Sequence, residues 1–86
     1  MKMIVCSVKD RAAEAFARPM FVNSVGIAIR SFSDEVNRSA DDNQLYNHSD
    51  DFDLYELGEF DDSTGLFQLL DVPKTIALGK QVKIAK

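Results

Sequence analysis

Several residue types that commonly equip a small protein are scarce or missing. The 86 residues include one cysteine, no tryptophan, two prolines and four glycines. A single cysteine excludes an intramolecular disulfide and a metal site with several thiolate ligands, and it is typical of a reducing, intracellular setting. No apolar run approaches the roughly 20 residues of a membrane span. Residues 1–10 alternate apolar and polar positions, which predicts a strand and not a signal peptide.

Basic residues are missing from the middle of the chain. Between Ser39 and Pro73 there is no Lys or Arg, whereas ten of the 14 acidic residues lie there. The first 38 residues carry six basic and four acidic groups, and the last 13 carry four lysines and no acid. The net charge of −4 and the isoelectric point of about 4.7 therefore average over an acidic middle and two basic ends.

The chain length limits the core. Residues 1–86 form a single domain with no room for a second core, and the hydrophobic fraction of 45% is ordinary for a globular protein. A chain this short buries only about 60–65% of the surface that its unfolded form exposes. Because a second copy would add buried area, we predict self-association.

The first half of the chain predicts one strand and one helix. Residues 2–8 alternate and predict a central strand, whereas residues 10–22 predict irregular or short extended structure. Residues 24–37 predict an amphipathic helix, capped at its start by Asn23 or Ser24. The apolar stripe of this helix consists of Val25, Ile29, Phe32 and Val36. Ile27 lies on the opposite, polar side, which is a further reason to expect self-association.

The second half predicts a hairpin. Residues 52–60 and 66–70 flank an Asp-Asp-Ser-Thr-Gly turn, in which Gly65 supplies a positive φ. Residues 71–73 end in proline and predict a break, and residues 81–85 predict a closing strand at a surface or edge. With the polar segment 39–51 as a long acidic loop, the predicted fold is α+β. It is a small, mostly antiparallel sheet with one amphipathic helix packed on it.

No arrangement of residues predicts catalysis or a metal site. His48 has no second His or Cys at ligand spacing, and Cys6 points inward from its strand. Glu56 and Glu59 lie three apart in a strand, so they are expected on opposite faces. The acidic residues do not follow the calcium-loop pattern. We therefore predict a protein that is not an enzyme and that needs no cofactor and no metal.

The basic ends are the one candidate binding surface, for nucleic acid. Binding of single-stranded DNA requires cations for the phosphates and exposed aromatic rings for the bases. If the first and last strands are neighbours, five cations can converge, namely Lys2, Arg18, Arg30, Lys80 and Lys83. Four rings are available, although most aromatic residues of so small a domain are expected in its core: Phe16, Phe21, Tyr55 and Phe67. The alternative is that these charges are scattered and serve solubility.

Four segments, taken in order, resemble a known family. They are MKMIVCSVKD at residues 1–10, AEAF with PMF between residues 13 and 21, AIRSFSDEVN at residues 28–37 and LYELGEFD at residues 54–61. Their order and spacing resemble the small nonstructural protein of gokushoviruses, a branch of the Microviridae with small circular single-stranded DNA genomes. That family is treated as the counterpart of protein C of the phi-X-type phages.

The resemblance implies a replication or packaging accessory in the cytoplasm of a bacterial host. Such a protein is associated with the switch from double-stranded replicative DNA to single-stranded genome synthesis. Two roles stay open at this point. Either the protein binds single-stranded DNA through its basic ends, or it is an adaptor that contacts the replication initiator or procapsid proteins without binding DNA. No membrane partner is expected.

Overall fold

An antiparallel sheet carries one long helix on one of its faces. The structure is a computed structural model, and it describes residues 1–84. The strands are β1 (Lys2–Asp10), β2 (Ala15–Phe16), β3 (Met20–Val22), β4 (Phe52–Asp61) and β5 (Leu66–Leu78). The helices are α1 (Val25–Val36), α2 (Gln44–Asn47) and α3 (Gly79–Val82), with a 3₁₀ turn at Ser49–Asp51. All strand pairs are antiparallel, and the α+β prediction is confirmed.

Strand β1 is central, as its sequence predicts. It pairs with β4 along its whole length, and its other edge pairs with β3 and then β2, while β5 pairs with β4 and forms the far edge. Side chains alternate between the faces of a strand, and one face of β1 packs beneath α1. The buried core consists of Cys6, Ala28, Phe32, Val36 and Leu54.

Helix α1 begins and ends where its capping residues predict. The Ser24 side chain accepts a hydrogen bond from the Ile27 amide at 3.2 Å, which satisfies one of the free N–H groups of the first turn. Phe32 and Val36 are buried and Ile29 packs beside them, so three of the four predicted stripe positions are confirmed, whereas Val25 is only half-buried and lies outside the core cluster. The buried stripe also includes Ala28, a residue too small to stand out in the sequence pattern.

The predicted hairpin is present, but its second strand does not end at Pro73. Strand β5 continues to Leu78, and the pairing with β4 jumps from Gly58–Leu69 to Glu56–Lys74. Residues 70–73 therefore oppose the single residue Leu57 and form a wide bulge. Pro73, which has no N–H to donate, lies in this bulge, where no ladder hydrogen bond is needed. The predicted break is an interruption of pairing and not the end of the strand.

Two further predictions for loops and ends were wrong in part. The segment 39–51 contains α2 and a 3₁₀ turn instead of one continuous loop, because the buried Asn43 side chain organises it. Its amide donates to the carbonyls of Glu35 and Arg38 at 2.8 Å each, and its oxygen caps α2. Residues 79–82 form α3, which includes the first two residues of the strand predicted at 81–85. Ala85, part of that predicted strand, lies outside the described residues.

Long-range hydrogen bonds explain the helical end. The Asn37 side chain donates to the Val82 carbonyl at 3.0 Å and accepts from the Ile84 amide at 2.7 Å. The Lys83 ammonium donates to the Tyr46 carbonyl at 2.7 Å and lies 3.7 Å from the centre of that ring. These bonds hold residues 79–84 against α1 and α2, so the predicted first and last strands do not share a sheet edge.

Candidate nucleic-acid interface

The face of the sheet opposite α1 is open and aromatic. Phe16 of β2 contacts Tyr55 of β4 edge to face, with ring centres 5.3 Å apart. Farther along the sheet, Phe21 lies 5.4 Å from Phe60, and Phe60 lies 4.8 Å from Phe67. These rings lie on one face because cross-strand partners share a side of the sheet. We call this set, Phe16, Phe21, Tyr55, Phe60 and Phe67, the aromatic face.

An apolar depression lies in the middle of the aromatic face. Its volume is about 390 Å³, and its lining consists of Val5, Pro19, Phe21, Leu57, Phe67 and Leu69. The rings around it are not core residues, since Phe16, Phe21 and Phe67 are all exposed. The prediction that most aromatic residues belong to the core was therefore wrong. Within residues 1–84, Phe32 is the one aromatic side chain that is fully buried.

Cations lie beside the rings at the β2 end of this face. Lys9 pairs with Phe16 across the strands, and its ammonium lies 5.6 Å from the centre of that ring. Arg18 is exposed in the connection between β2 and β3, two residues after Phe16. Ser7 holds this connection to β1, since its hydroxyl donates to the Ala17 carbonyl at 2.6 Å. A ring and two cations are thus presented together at an edge of the sheet.

The acid opposite Lys9 in the register is buried. One oxygen of Asp53 lies 3.0 Å from the Nε atom of Arg11 in an ion pair, whereas its Oδ1 is buried without a hydrogen-bond partner among residues 1–84. The side chain of Asp53 is only 6% exposed. The cations of Lys9 and Arg18 therefore do not face an exposed carboxylate of β4 on this side.

The other acidic residues of β4 lie on the α1 side of the sheet. Glu56 pairs with Cys6 and Glu59 pairs with Ile4, and both partners pack toward α1. The prediction that Glu56 and Glu59 point to opposite faces was wrong, because the extra residue Leu57 forms a bulge between them and restores the same side. The bulge thus separates the acidic residues from the aromatic face.

The end of the sheet beside the hairpin turn carries a negative charge at Asp61. Hydrogen bonds from the Ser63 hydroxyl and amide, at 2.6 and 3.0 Å, lower the pKa of Asp61 below its usual range. In the register Asp61 pairs with Lys2, so this end of the sheet carries both signs of charge. It offers phosphate no net positive surface.

The five predicted cations do not converge. Arg18 lies at the rim of the aromatic face, whereas Arg30 is exposed on α1, on the opposite side of the sheet. Lys80 and Lys83 follow directly after β5, whose last residue, Leu78, pairs with Asp53 at one end of β4. Lys2 pairs with Asp61, at the other end of β4. Eight residues of β4 separate those two positions, a distance of about 26 Å. The ammonium of Lys83 is already bound to Tyr46.

Sequence reasoning missed Lys9 and the open aromatic face. The signal for Lys9 was present, since alternation along β1 places it opposite the inward face of Ile4, Cys6 and Val8. What could not be seen was which face α1 would leave uncovered. The bulge at Leu57, which moves Glu59 to the α1 side, leaves no clear pattern in the sequence.

Other candidate reactive groups are not arranged for chemistry. Cys6 is fully buried, and burial together with the nearby Glu56 charge raises the pKa of its thiol, so it packs as a small apolar residue. Across residues 1–84, no group of three or more His, Cys, Asp or Glu side chains is placed to hold a metal ion. In the same range, no helix is long and apolar enough to cross a membrane.

The fold and the site together define a small α+β protein with one covered and one open, aromatic sheet face. Comparison with protein-family models matches residues 3–82 to the family described as Phage ORF5 protein, and the chain belongs to that phage family. The expectation of a phage protein is thereby confirmed at the level of the family. Comparisons with curated proteins and with solved structures returned no match.

Proposed function

We propose that this protein is a non-enzymatic phage accessory that binds single-stranded DNA on its aromatic face. The observation that carries the proposal is the group formed by Phe16, Tyr55 and Lys9, with Arg18 exposed two residues after Phe16 in the chain. Exposed rings provide platforms on which bases stack, and neighbouring cations contact the phosphates. Stacking on such rings requires unpaired bases, so single strands are favoured over duplex DNA.

Charge segregation reconciles DNA binding with an acidic protein. The net charge of −4 repels phosphate at long range, but Glu56 and Glu59 lie on the α1 side. The surface left for DNA carries Lys9 and Arg18, while Asp53 is buried and ion-paired with Arg11 through one oxygen. A DNA strand would thus approach from the side of the sheet opposite the half-buried Glu56 and Glu59.

The resemblance to the gokushovirus family supplies the biological setting of the proposal. In that setting the protein acts in the cytoplasm of the bacterial host, during the switch to single-stranded genome synthesis and packaging. A protein that holds single strands by stacking, without chemistry, fits that step. Of the five cations predicted from the sequence, the proposal retains Arg18 and adds Lys9.

One observation favours a second role, that of a protein adaptor. Glu56 and Glu59 of the acidic 39–62 segment lie on the helix side of the sheet, and Asp61 and Asp62 lie at the hairpin turn. An acidic surface of this kind suits a basic partner, such as a replication initiator or a procapsid protein. In this role DNA binding is absent, which gives the two proposals opposite outcomes in the experiments below.

Removing the ring of Phe16 is expected to weaken binding to a labelled oligothymidylate by about 5- to 150-fold, since stacking on one ring contributes about 1–3 kcal/mol. Fluorescence anisotropy with Phe16→Ala measures this change. Phe16→Trp keeps a stacking surface and should bind like the parent protein. Val72→Ala, an exposed apolar position in the β5 bulge, is the matched control and should have no effect.

The salt dependence of binding locates the phosphate contacts. We expect the double variant Lys9→Ala, Arg18→Ala to bind more weakly and to reduce the slope of log K against log salt by about 1.4, since each contact to a single strand contributes about 0.7. The control Arg30→Ala, Lys80→Ala removes the same charge from exposed positions on the helix side and should keep the parent slope. Both are measured by anisotropy across a salt series.

The binding of the two double variants and of the parent protein distinguishes the DNA-binding role from the adaptor role. If the Arg30, Lys80 variant loses binding and the Lys9, Arg18 variant does not, the DNA surface lies at the basic ends predicted from the sequence. If the parent protein binds no oligothymidylate even at low salt, DNA binding is wrong and the adaptor role takes its place. Circular dichroism on every variant verifies that the fold is unchanged.

A further inference from the structure

The free edge of β5 carries a run of exposed apolar side chains. One edge of β5 pairs with β4, and within residues 1–84 no strand covers its other edge. Residues from Leu66 to Thr75 are all exposed. Five large apolar side chains in this stretch are between 41% and 73% exposed: Leu66, Phe67, Leu69, Leu70 and Val72. An uncovered strand edge of this length is a template for pairing with another chain.

The β5 edge offers an apolar surface that could form the centre of a dimer interface. The five exposed fractions together equal about three whole large apolar side chains. Stable dimers bury about 800 Å² on each partner, and the backbone edge and neighbouring residues would contribute the remainder. Contiguous apolar patches of this size on a monomer mark an interaction site.

The sequence of this edge is complementary to itself. When two identical antiparallel strands pair about a twofold axis, one residue faces its own copy and its neighbours pair symmetrically. About Gln68, Phe67 faces Leu69 of the second copy and Leu66 faces Leu70. Every pair is then apolar except the central one, where two amide side chains meet and can exchange hydrogen bonds.

We propose that two copies of this chain pair through residues 66–70 of β5, with Gln68 on the twofold axis. The bulge of β5 limits the pairing to this stretch, because residues 71–73 continue the bulge beyond Leu70 and Pro73 has no N–H. No charged residue lies within 66–70, so the edge has no charge that would select an acidic or basic partner. A second copy is the partner whose apolar pattern it matches.

The proposed dimer joins the two aromatic faces. Phe67 and Leu69 pair with Phe60 and Gly58 of β4 on that side of the sheet. Pairing them across the axis makes one continuous surface from the two sheets. The dimer does not depend on DNA binding, and the Phe16 end of the face lies far from the paired edge. The two proposals can therefore fail separately.

Cysteine cross-linking tests the position of the axis. In Gln68→Cys, the introduced thiols of two copies face each other and should form a disulfide under mild oxidation. On denaturing gels the cross-linked protein should run at twice the monomer mass of 9.6 kDa, and a reducing agent should return it to the monomer. Native Cys6 is fully buried and does not compete. Thr64→Cys in the exposed turn is the control and should cross-link at least tenfold more slowly. Equal rates for the two variants would overturn the proposal.

A charge exchange tests the pairing of Phe67 with Leu69. In a dimer of Phe67→Glu, or in one of Leu69→Lys, both symmetric 67–69 pairs would set a charge against an apolar side chain. Each variant by itself should therefore be monomeric in sedimentation, with a dimer Kd raised roughly 100-fold or more over the parent. Mixing the two variants sets the opposite charges against each other once and should restore a dimer. A monomeric parent protein, or a mixture that stays monomeric while the Gln68→Cys protein fails to cross-link, would overturn the proposal.

Discussion

Phe32→Ala is expected to lower the free energy of unfolding by about 3–5 kcal/mol, the usual cost of removing a buried phenylalanine ring. Phe32 is 3% exposed and lies at the centre of the core, together with Cys6 of β1 and Leu54 of β4. Because these three residues join the helix to both central strands, the cavity would weaken every layer of the fold. Urea or thermal unfolding followed by circular dichroism measures the change.

A residue on the same helix serves as the control for Phe32. Ile27 is 37% exposed and lies outside the core cluster, so Ile27→Ala should cost about 1 kcal/mol or less. Both variants remove apolar side-chain volume from α1, and only the burial of the side chain differs. An unchanged midpoint for Phe32→Ala would show that α1 does not pack on the sheet in the way described.

Gly58→Ala is expected to destabilise the protein by about 3 kcal/mol or more, by strain and by overpacking. Gly58 follows the bulge at Leu57 and has a φ of 153°, which residues with a side chain rarely adopt. A Cβ there would meet the Gln68 carbonyl oxygen and would lie 2.7 Å from the Leu69 Cα. Strands β4 and β5 would have to separate, which thermal unfolding detects as a large fall in the midpoint.

Alanine substitutions at two other glycines distinguish backbone strain from overpacking as the cause of the stability lost in Gly58→Ala. Gly65 has a φ of 74° but nothing within 4 Å of an added Cβ, so Gly65→Ala should cost only about 1 kcal/mol of strain. Gly26 lies in α1 with its nearest such atom at 3.9 Å, and Gly26→Ala should stabilise the protein by about 0.5–1 kcal/mol. If Gly58→Ala behaves like Gly65→Ala, the close approach of β5 at the bulge is wrong.

Local patterns in the sequence were reliable where one element is stabilised by its own residues. The helix limits followed from the Ser24 cap, which is confirmed, and from the apolar stripe, which is confirmed at Ile29, Phe32 and Val36. The hairpin followed from its turn, and the inward position of Cys6 followed from strand alternation. Each of these signals spans only a few residues, and the interactions that create it lie within the same segment or turn.

Predictions failed where distant residues set the structure. Residues 79–82 are helical, and the strand predicted at 81–85 is not formed at 81–84, because Asn37 and Tyr46 bind residues 82–84 across 37 to 47 residues of chain. The predicted break at Pro73 is a bulge because β4 pairs with β5 on both sides of it, at residues 66–69 and again from Lys74 to Leu78. The convergence of Lys2 with Lys80 failed for the same reason, since strand register placed them at opposite ends of the sheet.

The sequence by itself determined that this is a small α+β domain with an amphipathic helix, a hairpin and an acidic middle. Only the tertiary structure decided which sheet face stays open and which charges border it. Alternation shows that β1 has two apolar faces, but it does not show which of them α1 covers. That choice, and the bulge that turns Glu59 away from the aromatic face, depend on packing and register between segments far apart in the chain.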